Sequence, residues 1–326
     1  INLLTYTGEM EQMRYPKAGD ANPVVRVGVI PVKGGAPRWM DTGEEKDIYL
    51  PRVNWLPDAK RLLIQRMNRA QNKLELILTE ASTGKGQTIL TEEDKNWINI
   101  SDDLYFFADG KRFLWSSERD GFSHLYLYDL TGKLLKQLTS GEWEVTGVVR
   151  VDEKKSNVYF SSTQKTLLES HLYRVALAGG APERLTREDG SHGINMSPDA
   201  AHYVDTRSTA TTPPRQDLFQ VDGTKALTIN ENKIAELSEY GLSPVEFFKV
   251  RGADGTELNA SMIKPPDFDG SKKYPVLVYL YAGPHAQSVR NAWSGNNFLW
   301  HQMMAQKGYI IFVVDNRSAS GRGHVS

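Results

Sequence analysis

The pair Leu-Thr returns four times at near-even intervals, at Leu90-Thr91, Leu138-Thr139, Leu185-Thr186 and Leu227-Thr228, with spacings of 48, 47 and 42 residues. A short alternating segment and a small turn precede each copy. "HLYLYDLTGK" from His124 is followed 47 residues on by "HLYRVALAGG" from His171. "DLFQVDGTK" from Asp217 is the next copy, and "LELILTEASTGK" from Leu74 is an earlier, looser one. A second signature lies upstream of each: "VNWLPDAKRLLIQ", "YFFADGKRFLWSS", "VRVDEKKSNVYFSS" and "INMSPDAAHYVDT". Its Pro-Asp or Asp-Gly pairs supply tight turns, and the alternation after them supplies period-two burial. Two hairpins in about 45 residues make four strands per unit, the arithmetic of a β-propeller blade. The repeats run from about residue 50 to 235, with a partial copy before them in "VVRVGVIPVKGGAPRWMDT". Four full blades and part of a fifth are expected.

After Glu239 the rhythm changes. "VEFFKVRGADGTELNASMIKPP" reads as a hairpin with Asp-Gly at its turn. "KYPVLVYLYAG" is almost continuously apolar, as a strand buried on both faces of a parallel sheet would be. "NNFLWHQMMAQKG" has helical spacing, with Phe298, Leu299, Met303 and Gln306 on one side and Gly308 as its stop. "YIIFVVDNR" is a second apolar strand, which makes a strand–helix–strand unit and the start of a parallel sheet. The expected architecture is a partial all-β propeller over residues 1–238, followed by the first part of an α/β domain over 239–326.

Composition narrows the partners. Of 326 residues, 40% are apolar and 24% charged, an ordinary globular balance, and no apolar run approaches the roughly 18 residues of a membrane span. A formal net charge of −1 with no long basic run leaves no electrostatic footprint for nucleic acid or an anionic membrane. The absence of cysteine removes disulfides, thiolate metal sites and a cysteine nucleophile. "INLLTYTGEMEQ" lacks an initiator Met and a signal-peptide pattern, and "SASGRGHVS" ends within a loop, so the chain reads as a fragment of a longer protein. A cut propeller and a cut parallel sheet leave open strand edges, for which aggregation is the expected hazard.

Four segments resemble the dipeptidyl peptidase IV family of the prolyl oligopeptidase clan. "RYPKAGDANPVVRVGVI" (Arg14 to Ile30) and "GEWEVTGV" (Gly141 to Val148) look like stretches of its propeller. "PPDFDGSKKYPVLVYLYAGPHAQ" resembles the entry into its α/β-hydrolase domain, and "VVDNRSASGRG" the loop before its nucleophile. The resemblance implies an eight-bladed propeller covering an α/β-hydrolase domain. It also implies a serine exopeptidase that releases N-terminal dipeptides after proline or alanine, without metal or organic cofactor and usually as a homodimer. It places the tyrosine whose hydroxyl helps form the oxyanion hole at Tyr281. A preorganised phenol aimed at a tetrahedral oxyanion is worth about 3 kcal/mol. Read without the resemblance, Tyr281 is a strand aromatic filling a core.

The nucleophile elbow G-x-S-x-G occurs nowhere in the sequence, so no serine, acid or base of a triad can be assigned and the chain by itself is expected to be inactive. The family's pair of glutamates for the substrate ammonium lies upstream of "YPKAG". Glu44-Glu45 and Glu92-Glu93 lack its aromatic context and read as solvated surface. The histidines His124, His171, His192, His202, His285, His301 and His324 show no metal-ligand spacing. His124 and His171 hold equivalent repeat positions, which assigns them a structural role. His285 follows the Tyr281 turn and is a candidate for lining the cleft. Arg317, at the end of the second apolar strand where ligand sites of α/β folds gather, is a candidate for substrate binding. There the family's pattern reads Asp-Gly-Arg-Gly, and Asn316 and Ser318 replace its glycines. "GGAP", beginning at Gly34 and Gly179, is a blade turn rather than a phosphate loop.

Two alternatives stay open on the sequence: a tripeptidyl or acylaminoacyl peptidase of the same clan, and a propeller interaction module without catalysis. The lack of cysteine fits a bacterial parent and identifies no compartment; a periplasmic, secreted or cell-surface location is expected for the parent.

Overall fold

The computed structural model describes residues 12–324, so the residues read for a missing signal pattern at the start lie almost wholly outside the described residues. The chain divides into two compact units, one ending at Ile100 and the other beginning at Ser101.

In the first unit β1 (Gly28–Val29) pairs with β2 (Arg38–Trp39). A four-stranded antiparallel meander follows: β3 (Ile48–Trp55), β4 (Arg61–Asn68), β5 (Lys73–Glu80) and β6 (Gly86–Glu93). Met40, Leu62, Ile64 and Ile77 form its core.

The second unit holds three more such meanders. The first is β7 (Tyr105–Phe106), β8 (Arg112–Ser117), β9 (His124–Asp129) and β10 (Leu134–Gln137). The second is β11 (Val145–Asp152), β12 (Asn157–Ser162), β13 (His171–Ala176) and β14 (Glu183–Arg184). The third is β15 (Ser191–Met196), β16 (His202–Ser208), β17 (Arg215–Gln220) and β18 (Lys225–Asn230). The four meanders coincide with the four full repeats, and β1 with β2 is the partial one.

In β12 the alternation separates one core from another rather than core from solvent. Val158 and Phe160 face a cluster with Leu114 and Leu125 of the preceding sheet and Trp143 of the connecting loop. Tyr159 faces the opposite way, into a cluster with Met196 and Tyr203 of the following sheet. An aromatic stack, Trp143 on Phe160 on Tyr173, runs through the first of these cores. Gly141 makes room for it: its φ is +130°, and a Cβ there would lie 2.5 Å from the Trp143 indole nitrogen.

The recurring Leu-Thr has a physical cause. The Thr139 hydroxyl accepts the Leu125 N–H at 2.9 Å and lies 3.1 Å from His124 Nδ1, while His124 Nε2 faces the Gly141 carbonyl at 2.9 Å. A carbonyl can only accept, so Nε2 carries the proton and Nδ1 accepts from the threonine. Thr186 repeats this on Leu172 and His171, at 3.1 and 3.0 Å. Both histidines are fully buried, in keeping with a structural role. In the other two blades the residue opposite the threonine is acidic: Glu75 pairs with Thr91, and Asp217 with Thr228. Those acids meet arginines instead, Arg66 and Arg215.

A 3-10 helix (Ala235–Tyr240) leads to a mixed sheet. β19 (Val245–Arg251) and β20 (Glu257–Ile263) form the expected hairpin, β21 (Val276–Tyr279) is joined through α1 (Asn296–Gln306) to β22 (Ile310–Val314), and β21 runs parallel to β22. The strand order is β19-β20-β22-β21.

Two expectations are corrected here. β21 is not buried on both faces: it is a four-residue edge strand with Val276 and Val278 each 54% exposed. The inward side of α1 is also different, being Phe298, His301, Gln302 and Ala305, while Leu299 and Met303 stay exposed. Gln302 is buried because its amide satisfies both the N–H and the carbonyl of Ser243, each at 2.8 Å. Ala305 is small enough to sit against Ile311 and Val313.

Replacing Thr139 by Val should remove two bonds from a dry site and cost about 2 kcal/mol. Thr228→Val, at a half-exposed position, should cost well under half of that, and urea unfolding of the two variants measures the contrast.

Candidate functional site

The loops after β21 and β22 emerge side by side, because the two strands are parallel and adjacent. In open α/β sheets this carboxyl end is where ligands bind. Tyr281 lies two residues beyond β21 and is 73% exposed in the described structure. Its ring folds back over Gly283, where a Cβ would come within 2.5 Å of Cε1. Ala282 and His285 both adopt left-handed backbone, with φ of +58° and +55°. Each costs an L-residue roughly 1–2 kcal/mol, so the turn needs outside support.

That support comes from the loop after β22. The Asp315 carboxylate accepts the Ser288 N–H at 2.6 Å and the Val289 N–H at 3.2 Å. Burial pushes the Asp315 carboxyl up, against these two bonds, which favour the charged form. Asn316 Nδ2 donates to the Ala282 carbonyl at 3.0 Å, and the His285 N–H donates to the Ser318 carbonyl at 2.8 Å. Ser320 donates its hydroxyl to the His285 carbonyl.

Tyr281 and His285 therefore share one braced turn. Arg317 departs from it: its guanidinium reaches Asp254 at 3.2 Å, in a solvent-screened pair across the β19–β20 turn. Arg317 lines a cavity of about 640 Å³ together with Arg322, Glu257, Lys249, Glu142 and Leu167, a lining that includes neither Tyr281 nor His285.

The same region is bolted to the blade loops of its unit. Gln287 Nε2 donates to the Leu167 carbonyl at 2.7 Å, and the Asn291 N–H to the Leu168 carbonyl at 2.8 Å. The Asn291 side chain accepts the Ala210 N–H at 3.0 Å and donates to Glu169 at 2.7 Å. Further along, the Gly323 N–H meets the Glu144 carboxylate at 3.1 Å and the His324 N–H the Gly121 carbonyl at 2.7 Å. Glu144, within the "GEWEVTGV" motif, has its carboxyl pushed up by burial.

Glu169 is the hub. Besides Asn291 it accepts from Lys165 Nζ at 2.6 Å, His171 Nε2 at 2.9 Å and the Gly190 N–H at 2.9 Å. Burial acts to raise its carboxyl, but the bonds from Lys165, His171 and Asn291 outweigh this and hold it at about 2. Burial lowers the His171 imidazole despite the neighbouring carboxylate, keeping it neutral as its bond pattern requires. Nothing in the sequence separates Glu169 from a surface acid. Asp315 and Asn316 were signalled only by their place after an apolar strand and, for Asn316, by the departure from glycine. Among the described residues no group of three or more His, Asp or Glu side chains is arranged to hold a metal.

Repeated four-stranded antiparallel sheets, with a parallel strand pair docked on the blade loops of the second unit, are of the kind that builds a propeller region. The chain belongs to the dipeptidyl peptidase IV (DPP IV) N-terminal region family, which it matches over residues 3–214. It is 28% identical over 338 residues to the probable dipeptidyl peptidase 4 of Emericella nidulans, covering 98% of this chain and 43% of that protein. It is 29% identical to the dipeptidyl peptidase 4 of Trichophyton equinum, again over 98% of this chain and 43% of the relative. Among solved structures, Porphyromonas gingivalis dipeptidyl peptidase 4 superposes with a TM-score of 0.88 at 31% identity, covering 95% of this chain and 44% of that one. A putative dipeptidyl aminopeptidase IV from Bacteroides ovatus gives 0.87 at 29% identity, over 99% and 49%. The chain thus spans less than half the length of these relatives.

Glu169 and His171 make the docking acid-sensitive. A carboxyl whose folded value lies below its unfolded one contributes stability above about 4.5 and loses it as pH falls toward 2. The buried neutral His171 adds a loss beginning near 6.5, because there the unfolded chain takes up a proton that the folded chain does not. Glu169→Gln should cost about 2 kcal/mol at neutral pH and flatten the loss between pH 4.5 and 2. Denaturant unfolding followed by tryptophan fluorescence across that range would show it.

Proposed function

We propose that this chain is the propeller region and the opening of the α/β-hydrolase domain of a dipeptidyl peptidase IV-like serine exopeptidase, with the domain change near residue 239. The parallel pair β21–β22 joined by α1, with the outer edge of β21 unpaired among the described residues, fits the opening of such a sheet. The complete protein would release Xaa-Pro or Xaa-Ala dipeptides from peptide N-termini by acyl transfer to a serine, and would act as a homodimer. The serine, acid and base would come from sequence outside these 326 residues, which contain no nucleophile elbow.

The observation that carries this is the placement of Tyr281. Its phenol stands exposed beyond a parallel strand, on a turn braced from the neighbouring loop, as a donor for an oxyanion must stand before substrate arrives. The attacking serine would convert the scissile carbonyl to a tetrahedral oxyanion, and the Tyr281 hydroxyl would donate to that oxygen. His285, on the same turn, would line the cleft. Arg317 would contribute through the adjacent charged cavity rather than beside Tyr281.

The test is turnover of an Xaa-Pro chromogenic peptide, with fluorophosphonate labelling, by this chain and by the complete protein that carries it. The complete protein should label and cleave, and this chain should do neither. In the complete protein Tyr281→Phe should lower kcat on the order of 100-fold with KM little changed. Failure of the complete protein to label would replace the peptidase assignment with that of an interaction module.

A further inference from the structure

We propose that Asn316 is a positioning residue for Tyr281, its side-chain amide acting as a tether that fixes the turn carrying the phenol; this rests on the oxyanion role proposed for Tyr281. The turn from Tyr281 to His285 does not hold its own shape. Ala282 and His285 sit in left-handed backbone with φ of +58° and +55°, and such residues persist only where their surroundings over-determine them. Asn316 supplies that constraint through a side chain.

Its Nδ2 donates to the Ala282 carbonyl and to Ser318 Oγ, both at 3.0 Å. The amide can face only one way, since a carbonyl partner must meet the NH₂ group. Ala282 is the residue next to Tyr281, so the tether fixes the peptide plane between Ala282 and Gly283. Gly283 in turn carries the Tyr281 ring, which packs where a Cβ would otherwise be. Ser318 completes the brace by accepting the His285 N–H at 2.8 Å. Asn316 and Ser318 stand where the resembled pattern has glycines. Glycine can provide neither the Asn316 amide nor the Ser318 hydroxyl, so this part of the brace depends on the two side chains present here.

The test uses the complete protein that carries this chain, with Asn316→Ala, Asn316→Asp and Tyr281→Phe. Aspartate has the size of asparagine, but its carboxylate cannot donate to the Ala282 carbonyl. It therefore separates tethering from space filling, and near-UV circular dichroism shows that each variant is folded. Both Asn316 variants should speed amide hydrogen exchange at Gly283 and His285 about ten-fold or more, with β22 unchanged. They should also lower kcat on the order of ten-fold at constant KM, and cause no further loss in a Tyr281→Phe background. The tether is overturned if Asn316→Asp exchanges like wild type, or if Asn316→Ala slows turnover equally with and without the Tyr281 hydroxyl. If Tyr281→Phe alone retains full turnover, the oxyanion role fails, and with it the catalytic part of this proposal. The exchange rates then decide the tether by themselves.

Discussion

One buried carboxylate ties three separate pieces of the second unit together. Glu169 gathers Lys165 and His171 from its own blade, the Gly190 N–H from the entry to the next, and Asn291 from the loop ahead of α1. Four donors on one ionised group offset the cost of taking it out of water, and without them it would not stay charged there. The placement of the loops beyond β21 and β22 depends on this junction, since Asn291 and Gln287 fix the stretch that Asp315 grips from the other side. Tyr281 inherits its position from that chain of contacts.

Much of the blade architecture was legible in the sequence because one local constraint recurs. In two blades the threonine accepts a backbone N–H across the outer pair of strands, and in the other two it holds the same register opposite an acid, with its preceding leucine marking the spot in all four. The identity of the residue opposite was legible only in part. Histidine in two blades and acid in two others meet the same threonine through different bonding. The order of secondary structure after Glu239 was also legible, since an apolar strand, a helix with a glycine stop and another apolar strand leave few alternatives.

What failed was burial within those last elements. The apolar content of β21 suggested an interior strand, but interior position depends on how many neighbours pair with it, and in the described sheet only β22 does. The inward face of α1 was misassigned because Gln302 counts as polar in any periodicity, yet here it completes the hydrogen bonding of Ser243. The site was legible through resemblance alone. Tyr281 in an apolar stretch looks like core, yet like Val278 and Leu280 before it, it is exposed in the described structure.

The two-sided alternation of β12 has a consequence for how the sheets share their stability. Val158 and Phe160 belong to the core on one side and Tyr159 to the core on the other. The middle blade therefore owns no interior of its own; its hydrophobic energy resides in two shared boundaries. Folding in such an array is governed by nearest-neighbour coupling, in which a sheet becomes firm only when an adjacent one is present to close its face. A lesion at Phe160 would be felt one blade back, at Leu114 and Leu125, before it was felt within its own hairpin turns.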